Sequence, residues 1–124
     1  MTLMLLVSCA QELAVEHSQG GCVEYDFDDP ADSEVHWEWA DPIAKIWRTN
    51  VALEQSQLEF DPTFKTDGNL VSIYEAWGGE PLEAPFCYQP EIHVEGMTRK
   101  LEIRWYSHDD ETVPFATLEI EPRE

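Results

Sequence analysis

From Cys22 onward, large apolar residues fall at every second position in short runs. Val23, Tyr25 and Phe27 alternate with Glu24, Asp26 and Asp28, and Val35, Trp37 and Trp39 alternate with Glu34, His36 and Glu38. Leu58 and Phe60, the stretch Leu70 to Ala76, Ile92 and Val94, then Leu101, Ile103 and Trp105 against Glu102, Arg104 and Tyr106, and finally Ala116, Leu118 and Ile120 continue the series. A period of two with one apolar face is the pattern of a half-buried strand. Pro30, Pro62, Pro81, Pro85, Pro90 and Pro114 lie between these runs or at their ends, where a missing amide donor does least harm. The stretch SHDDET, residues 107–112, reads as a hairpin turn. These features predict an all-β fold, an antiparallel β-sandwich of about 7–9 short strands. One stretch, DPIAKIWRTNV, reads differently: Asp41 as a cap, Pro42 in the first helical position and Ile43, Ile46 and Trp47 on one face predict a helical turn followed by a strand.

The first residues follow another period. Leu3, Leu6, Val7, Ala10, Leu13 and Ala14 fall on one helical face, which predicts an N-terminal helical segment. The same segment contains Leu6-Val7-Ser8-Cys9, an aliphatic residue, a small or aliphatic residue, a small residue and a cysteine. This resembles the lipobox of bacterial lipoprotein signals. The resemblance implies cleavage before Cys9, a diacylglycerol on its sulfur and often a further chain on its amine, and two or more acyl chains anchor a protein stably. No Lys or Arg precedes Cys9 and the apolar run covers only Leu3 to Val7, so the expectation includes a natural start upstream of Met1. On this reading residues 1–8 are a truncated signal segment, 9–21 a tether and 22–124 a single domain.

Charge narrows the function classes. Among 124 residues, 26 Asp and Glu stand against 7 Lys and Arg, a formal net charge of −19. Such a chain is repelled by a nucleic-acid backbone and by anionic lipid, so membrane attachment is expected only through the lipid at Cys9. It attracts basic proteins, and its carboxylates are also able to imitate the phosphates of DNA. The cysteine count is odd. With Cys9 assigned to lipid, Cys22 and Cys87 remain as a disulfide pair, closing a long loop worth about 4 kcal/mol in an oxidising compartment. Cys22, Trp37 and Cys87 also have roughly the spacing of the immunoglobulin fold, but Pro85 stands where that fold has its corner tyrosine.

Signatures of catalysis are absent: the chain has no P-loop, GxGxxG, GxSxG, HExxH or CxxC. An enzyme is not expected. Two metal constellations are weak candidates. His36 with Glu38 and His93 with Glu95 would form a zinc-type ligand set if their strands were neighbours. Asp26, Asp28 and Asp32 offer the hard oxygens that calcium takes, without the glycine and terminal glutamate of an EF-hand in register. Trp77, before Gly78-Gly79, is the candidate for an exposed sugar-binding ring, whereas Trp37, Trp39 and Trp105 sit in the apolar phase of their strands. The reading is a monomeric, acidic, lipid-anchored binding module of a bacterial envelope, whose partner is a basic protein or an envelope component and which needs no cofactor. The alternatives are a cytoplasmic decoy that mimics DNA and a carbohydrate- or calcium-binding sandwich.

Overall fold

The computed structural model describes residues 2–8 and 11–123. Twelve strands and no helix are present among them: β1 (Thr2–Ser8), β2 (Gln11–Gly21), β3 (Val35–Ala40), β4 (Ile43–Arg48), β5 (Val51–Leu53), β6 (Glu59–Phe60), β7 (Thr63–Asp67), β8 (Leu70–Tyr74), β9 (Trp77–Gly78), β10 (Phe86–Glu95), β11 (Leu101–Tyr106) and β12 (Ala116–Ile120). The first sheet has the order β1-β2-β10-β4-β3, with β5 continuing β4 along β10. The second has the order β12-β11-β8-β7, and β6 pairs with β9 in a small ribbon. The all-β, sandwich-like expectation is met, and the excess over nine strands comes from the two- and three-residue segments β5, β6 and β9.

The core forms where the apolar phases of the two sheets meet. Leu13, Val15, Ala44, Ile46, Ile92 and Val94 of the first sheet pack with Val71, Ile73, Leu101, Ile103, Trp105 and Ile120 of the second. Trp37 and Trp39 lean on this cluster from the edge strand β3. Period-two alternation does this sorting on β3, β4, β10 and β11. The first run needs correction: Val23, Tyr25 and Phe27 lie in no strand, with Val23 82% and Phe27 49% exposed, and Pro90 stands inside β10 rather than at its end.

Four further expectations need correction. The helical N-terminal segment is instead a hairpin, with β1 antiparallel to β2 in the register Leu6↔Leu13, Leu5↔Ala14 and Met4↔Val15. A lone helix of this length is marginal in water, whereas a strand gains hydrogen bonds from a sheet already in place. The stretch expected to be a tether holds β2, which lies between β1 and β10 and buries Leu13 and Val15, so the first sheet begins before residue 22. Residues 41–47 form no helical turn. Asp41-Pro42, joined by a cis peptide bond, makes the two-residue turn between β3 and β4, and β4 buries Ala44, Ile46 and Arg48 in alternation. Finally, the sandwich is not wholly antiparallel, because β8 and β11 pair in parallel. The chain leaves β8, passes through β10 in the opposite sheet and returns in the same direction along β11.

Cys22 and Cys87 form a disulfide, with a Cα–Cα distance of 5.4 Å and a sequence separation of 65. It joins the end of β2 to β10, its neighbour in the same sheet, where Gly21 pairs with Tyr88 and the Cys22 amide donates to the Cys87 carbonyl at 3.1 Å. The bridge of an immunoglobulin domain runs between sheets, so the cysteine and tryptophan spacing here serves a different arrangement. The bond pins the root of loop 22–34. Replacing both cysteines by alanine is expected to cost about 2–4 kcal/mol in urea denaturation. An unchanged midpoint would show that β2 and β10 hold that root unaided.

Candidate functional site

Three strands carry their inward phase one step past the core, each with a polar residue. The inward series Ala44, Ile46 ends in Arg48; Val71, Ile73 runs on to Glu75; Ile103, Trp105 runs on to Ser107. All three polar residues are buried. They meet at one end of the sandwich because β8 and β11 run in parallel register, and the Glu75 amide donates to the Tyr106 carbonyl at 3.0 Å.

The Glu75 carboxylate has no solvent exposure and accepts four hydrogen bonds. Arg48 Nη1 at 2.7 Å and Trp105 Nε1 at 3.0 Å donate to Oε1. Trp77 Nε1 at 2.9 Å and His108 Nδ1 at 2.7 Å reach Oε2. Arg48 Nη1 also donates to Ser107 Oγ at 3.0 Å and its Nε to Ser33 Oγ at 2.8 Å, while the Phe115 ring lies 3.8 Å from the guanidinium carbon. Burial alone would raise the Glu75 carboxyl, but the His108 bond, the Arg48 charge and the two indoles outweigh it and hold the group at about 2. His108 is raised above its ordinary value chiefly by its bond to Glu75, against the opposing effect of burial. An ionised carboxylate accepts only, so Nδ1 carries the proton and Nε2 is left for solvent.

His108 also lines a cleft of about 570 Å³ with Leu53, Glu54, Gln55, Leu58, Trp77 and Glu83. The Trp77 ring is fixed from behind: it lies 4.7 Å from the Tyr88 ring and 5.2 Å from Phe60, in addition to its bond to Glu75. The bridge between Ser56 and Leu82 closes loop 54–58 against loop 79–85. The cleft thus offers an apolar wall, two carboxylates and an imidazole backed by a buried carboxylate. That combination is able to seat a cation with an apolar stem and to exchange a proton at Nε2.

The other sequence candidates are dispersed. His36 and Glu38 on β3 and His93 and Glu95 on β10 share an outer sheet face, but β4 separates them. Lys45 lies between Glu38 and His93, and Trp47 lies between His36 and Glu91. His93 is bonded to Glu91 at 2.6 Å and His36 lies 3.3 Å from Glu34. A cation stands where a shared metal would have to be. Asp26, Asp28 and Asp32 are exposed in loop 22–34, where Asp26 Oδ1 accepts the Asp28 amide at 2.9 Å and the Asp32 carbonyl accepts from Asn50 at 2.9 Å. Among the described residues no group of three or more His, Cys, Asp or Glu is placed to hold a metal ion. Trp77 does line the cleft, and Cys9 lies outside the described residues. Arg48, Glu75 and His108 were not singled out by sequence. The available signal was a charged residue in the inward phase of a strand, at Arg48 after Ile46 and at Glu75 after Ile73.

No protein-family model matches this chain, and neither a curated protein nor a solved structure does.

Removing one partner from a buried ion pair leaves the other uncompensated. Glu75→Gln is therefore expected to cost about 3–5 kcal/mol in urea denaturation. A loss below about 1 kcal/mol would show that Arg48 reaches water. The pH dependence has two limbs. Glu75, depressed when folded, stabilises fully above the ordinary 4.5, and its contribution is lost as pH falls towards about 2. His108, raised when folded, stabilises fully below 6.5, and its contribution is lost as pH rises through its folded value. The melting temperature is expected to be highest between 4.5 and 6.5, with His108→Gln flattening the alkaline limb.

Proposed function

We propose that the protein is a non-catalytic interaction module that binds a basic protein through the loops at this end of the sandwich. The observation that carries the reading is the content of those loops. Segments 22–34, 54–58, 79–85 and 107–115 contain no Lys or Arg, and their carboxylates, among them Asp26, Asp28, Glu54, Glu83 and Asp110, are exposed. All the exposed large hydrophobics of the described residues except Leu5, namely Val23, Phe27, Leu82, Val113 and Phe115, lie on the same loops. Exposed apolar residues rimmed by charge of one sign are the composition of a docking face, with the apolar groups as anchors and the carboxylates steering a partner of opposite sign. The buried network supports the face, since Arg48 and Glu75 tie together Ser33, Ser107, His108 and Phe115 from two of the loops. Replacing Phe27 and Val113 together by serine should weaken capture of the native partner at least about tenfold without loss of folding, and raising salt should slow association. The captured partner should be basic. An acidic or neutral partner, or capture unaffected by both changes, overturns the reading.

We also propose that the module is anchored to the cell envelope by lipid on Cys9, because the Cys22–Cys87 disulfide favours an oxidising compartment. The attachment point suits the first proposal. β2 runs for 11 residues from Gln11, two residues after Cys9, to Gly21 at the root of loop 22–34. An anchor before Gln11 would hold the acidic loops about 33 Å away from the bilayer surface, where anionic lipid repels them least. Cleavage before Cys9 would remove β1 and make β2 the sheet edge. Intact-mass measurement after expression in a bacterium should show a product that begins at Cys9 and carries acyl chains. A product that retains residues 1–8 without lipid overturns the anchor.

A further inference from the structure

We propose that the cleft lined by Trp77, Glu54, Glu83 and His108 is an anchor pocket for a single arginine or lysine side chain of the partner. This rests on the reading of the loop end as a docking face for a basic protein. The lining is itself amphipathic, with Leu53, Leu58 and the Trp77 ring as apolar surface and Glu54 and Glu83 as charge, and it contains no Lys or Arg. Few side chains match such a lining: an apolar ligand would strand both carboxylates, a simple anion would be repelled, and a bare cation would leave the apolar wall unused. Arginine and lysine carry a cationic head on an apolar stem, and the stem packs while the head pairs. An indole face also attracts a cation within about 6 Å of its centre. Glu75 is not the acceptor, since Arg48, Trp105, Trp77 and His108 already occupy its oxygens. Its role is to hold the Trp77 and His108 walls in place.

The same geometry couples the pocket to pH. The charged groups around the His108 ring are Glu75 from the end of β8, Arg48 from β4, Asp109 beside it in its own loop, and Glu54 and Glu83 across the cleft. When His108 is protonated, an imidazolium stands on the wall that the ligand's head must approach. Guanidinium and proton therefore compete, and by linkage each weakens the other's binding.

The test uses the intact protein and a defined probe, the capped peptide acetyl-Gly-Arg-Gly-amide, with its citrulline counterpart as an uncharged isostere. Indole and backbone amide resonances are followed by ¹H–¹⁵N spectroscopy, and the Trp77 indole is assigned from Trp77→Phe. A saturable shift of the Trp77 indole with the arginine peptide only is expected, weaker by at least about fivefold at about pH 5.5 than at about pH 8.5. Glu54→Gln with Glu83→Gln should abolish it, and both sites are exposed, so folding is not at issue. His108→Gln should remove the pH dependence, bringing the ratio of affinities at about pH 8.5 and about pH 5.5 towards one. Equal binding of the citrulline peptide overturns the proposal, as does a saturable shift that survives loss of both carboxylates. If the Trp77 indole stays still while amides of loops 22–34 or 107–115 shift, the pocket is wrong and the basic-partner reading stands. If none of these signals moves, both are overturned.

Discussion

A carboxylate with no access to water dictates the arrangement around it. Glu75 belongs to the second sheet and Arg48 to the first, so their 2.7 Å contact is a charged bond across the sandwich, at the level where the apolar core stops. Either group alone at that depth would cost several kcal/mol, and the pair persists only because both are satisfied further. Two indoles and an imidazole complete the carboxylate, and Ser107 and Ser33 complete the guanidinium. Hydrophobic contacts tolerate sliding, since one aliphatic side chain replaces another at small loss. A network with this many directional partners is satisfied in one alignment of the sheets, and that is the better-attested use of a buried ion pair.

That alignment matters because of what lies above it. The loops at this end bear carboxylates without any Lys or Arg among them, and like charges at this density push the segments apart. Their roots are held from below by the Arg48 and Glu75 network and by the Cys22–Cys87 bridge. Asn50, with a backbone φ of 52°, marks the bend between β4 and β5, and its side chain binds the carbonyl of Asp32. A docking face of repelling groups is useful only if it is ordered before the partner arrives, since ordering it on arrival would be subtracted from affinity. On the proposed reading, stability and recognition draw on the same interactions here.

The parts of this structure visible in the sequence are those set by local period and by counting. Alternation gave the core members on β3, β8, β10, β11 and β12, and setting Cys9 aside for lipid left Cys22 and Cys87 as the pair that the structure bonds. The helical reading of the Leu3 to Ala14 spacing and the tether reading that followed it fail on β1 and β2 because that apolar spacing also fits a helical face, and only the presence of β10 as a neighbour makes β2 a strand. The parallel pairing of β8 with β11 depends on a crossover through the opposite sheet, which no local pattern encodes. Trp77 was singled out as an exposed sugar platform. It lines a cleft, yet its nitrogen is turned inward to Glu75 and its ring packs against Tyr88 and Phe60, so much of the indole is committed to the network and to the packing behind the wall. Arg48 and Glu75 escaped notice because a charged residue after a strand is ordinarily read as the strand's exit into solvent.

The same burial that hides the network from solvent determines how it responds to its surroundings. The Glu75 carboxylate is held ionised down to about pH 2, and its oxygens are fully engaged. Trp77 and His108 both join it to the cleft, and of the two only His108 titrates, through a ring with one nitrogen on Glu75 and a side chain one-third exposed. A change in the cleft, whether a proton or a cation, is therefore felt first at this imidazole, above the ordinary histidine range rather than in acid. From there it reaches the contact that aligns the two sheets through a single shared carboxylate. If the proposed pocket takes a cation, binding at the cleft and stability of the sandwich are two readings of one titration, and a ligand that favours neutral His108 would gain affinity as pH rises while giving up the stability that the charged pair supplied.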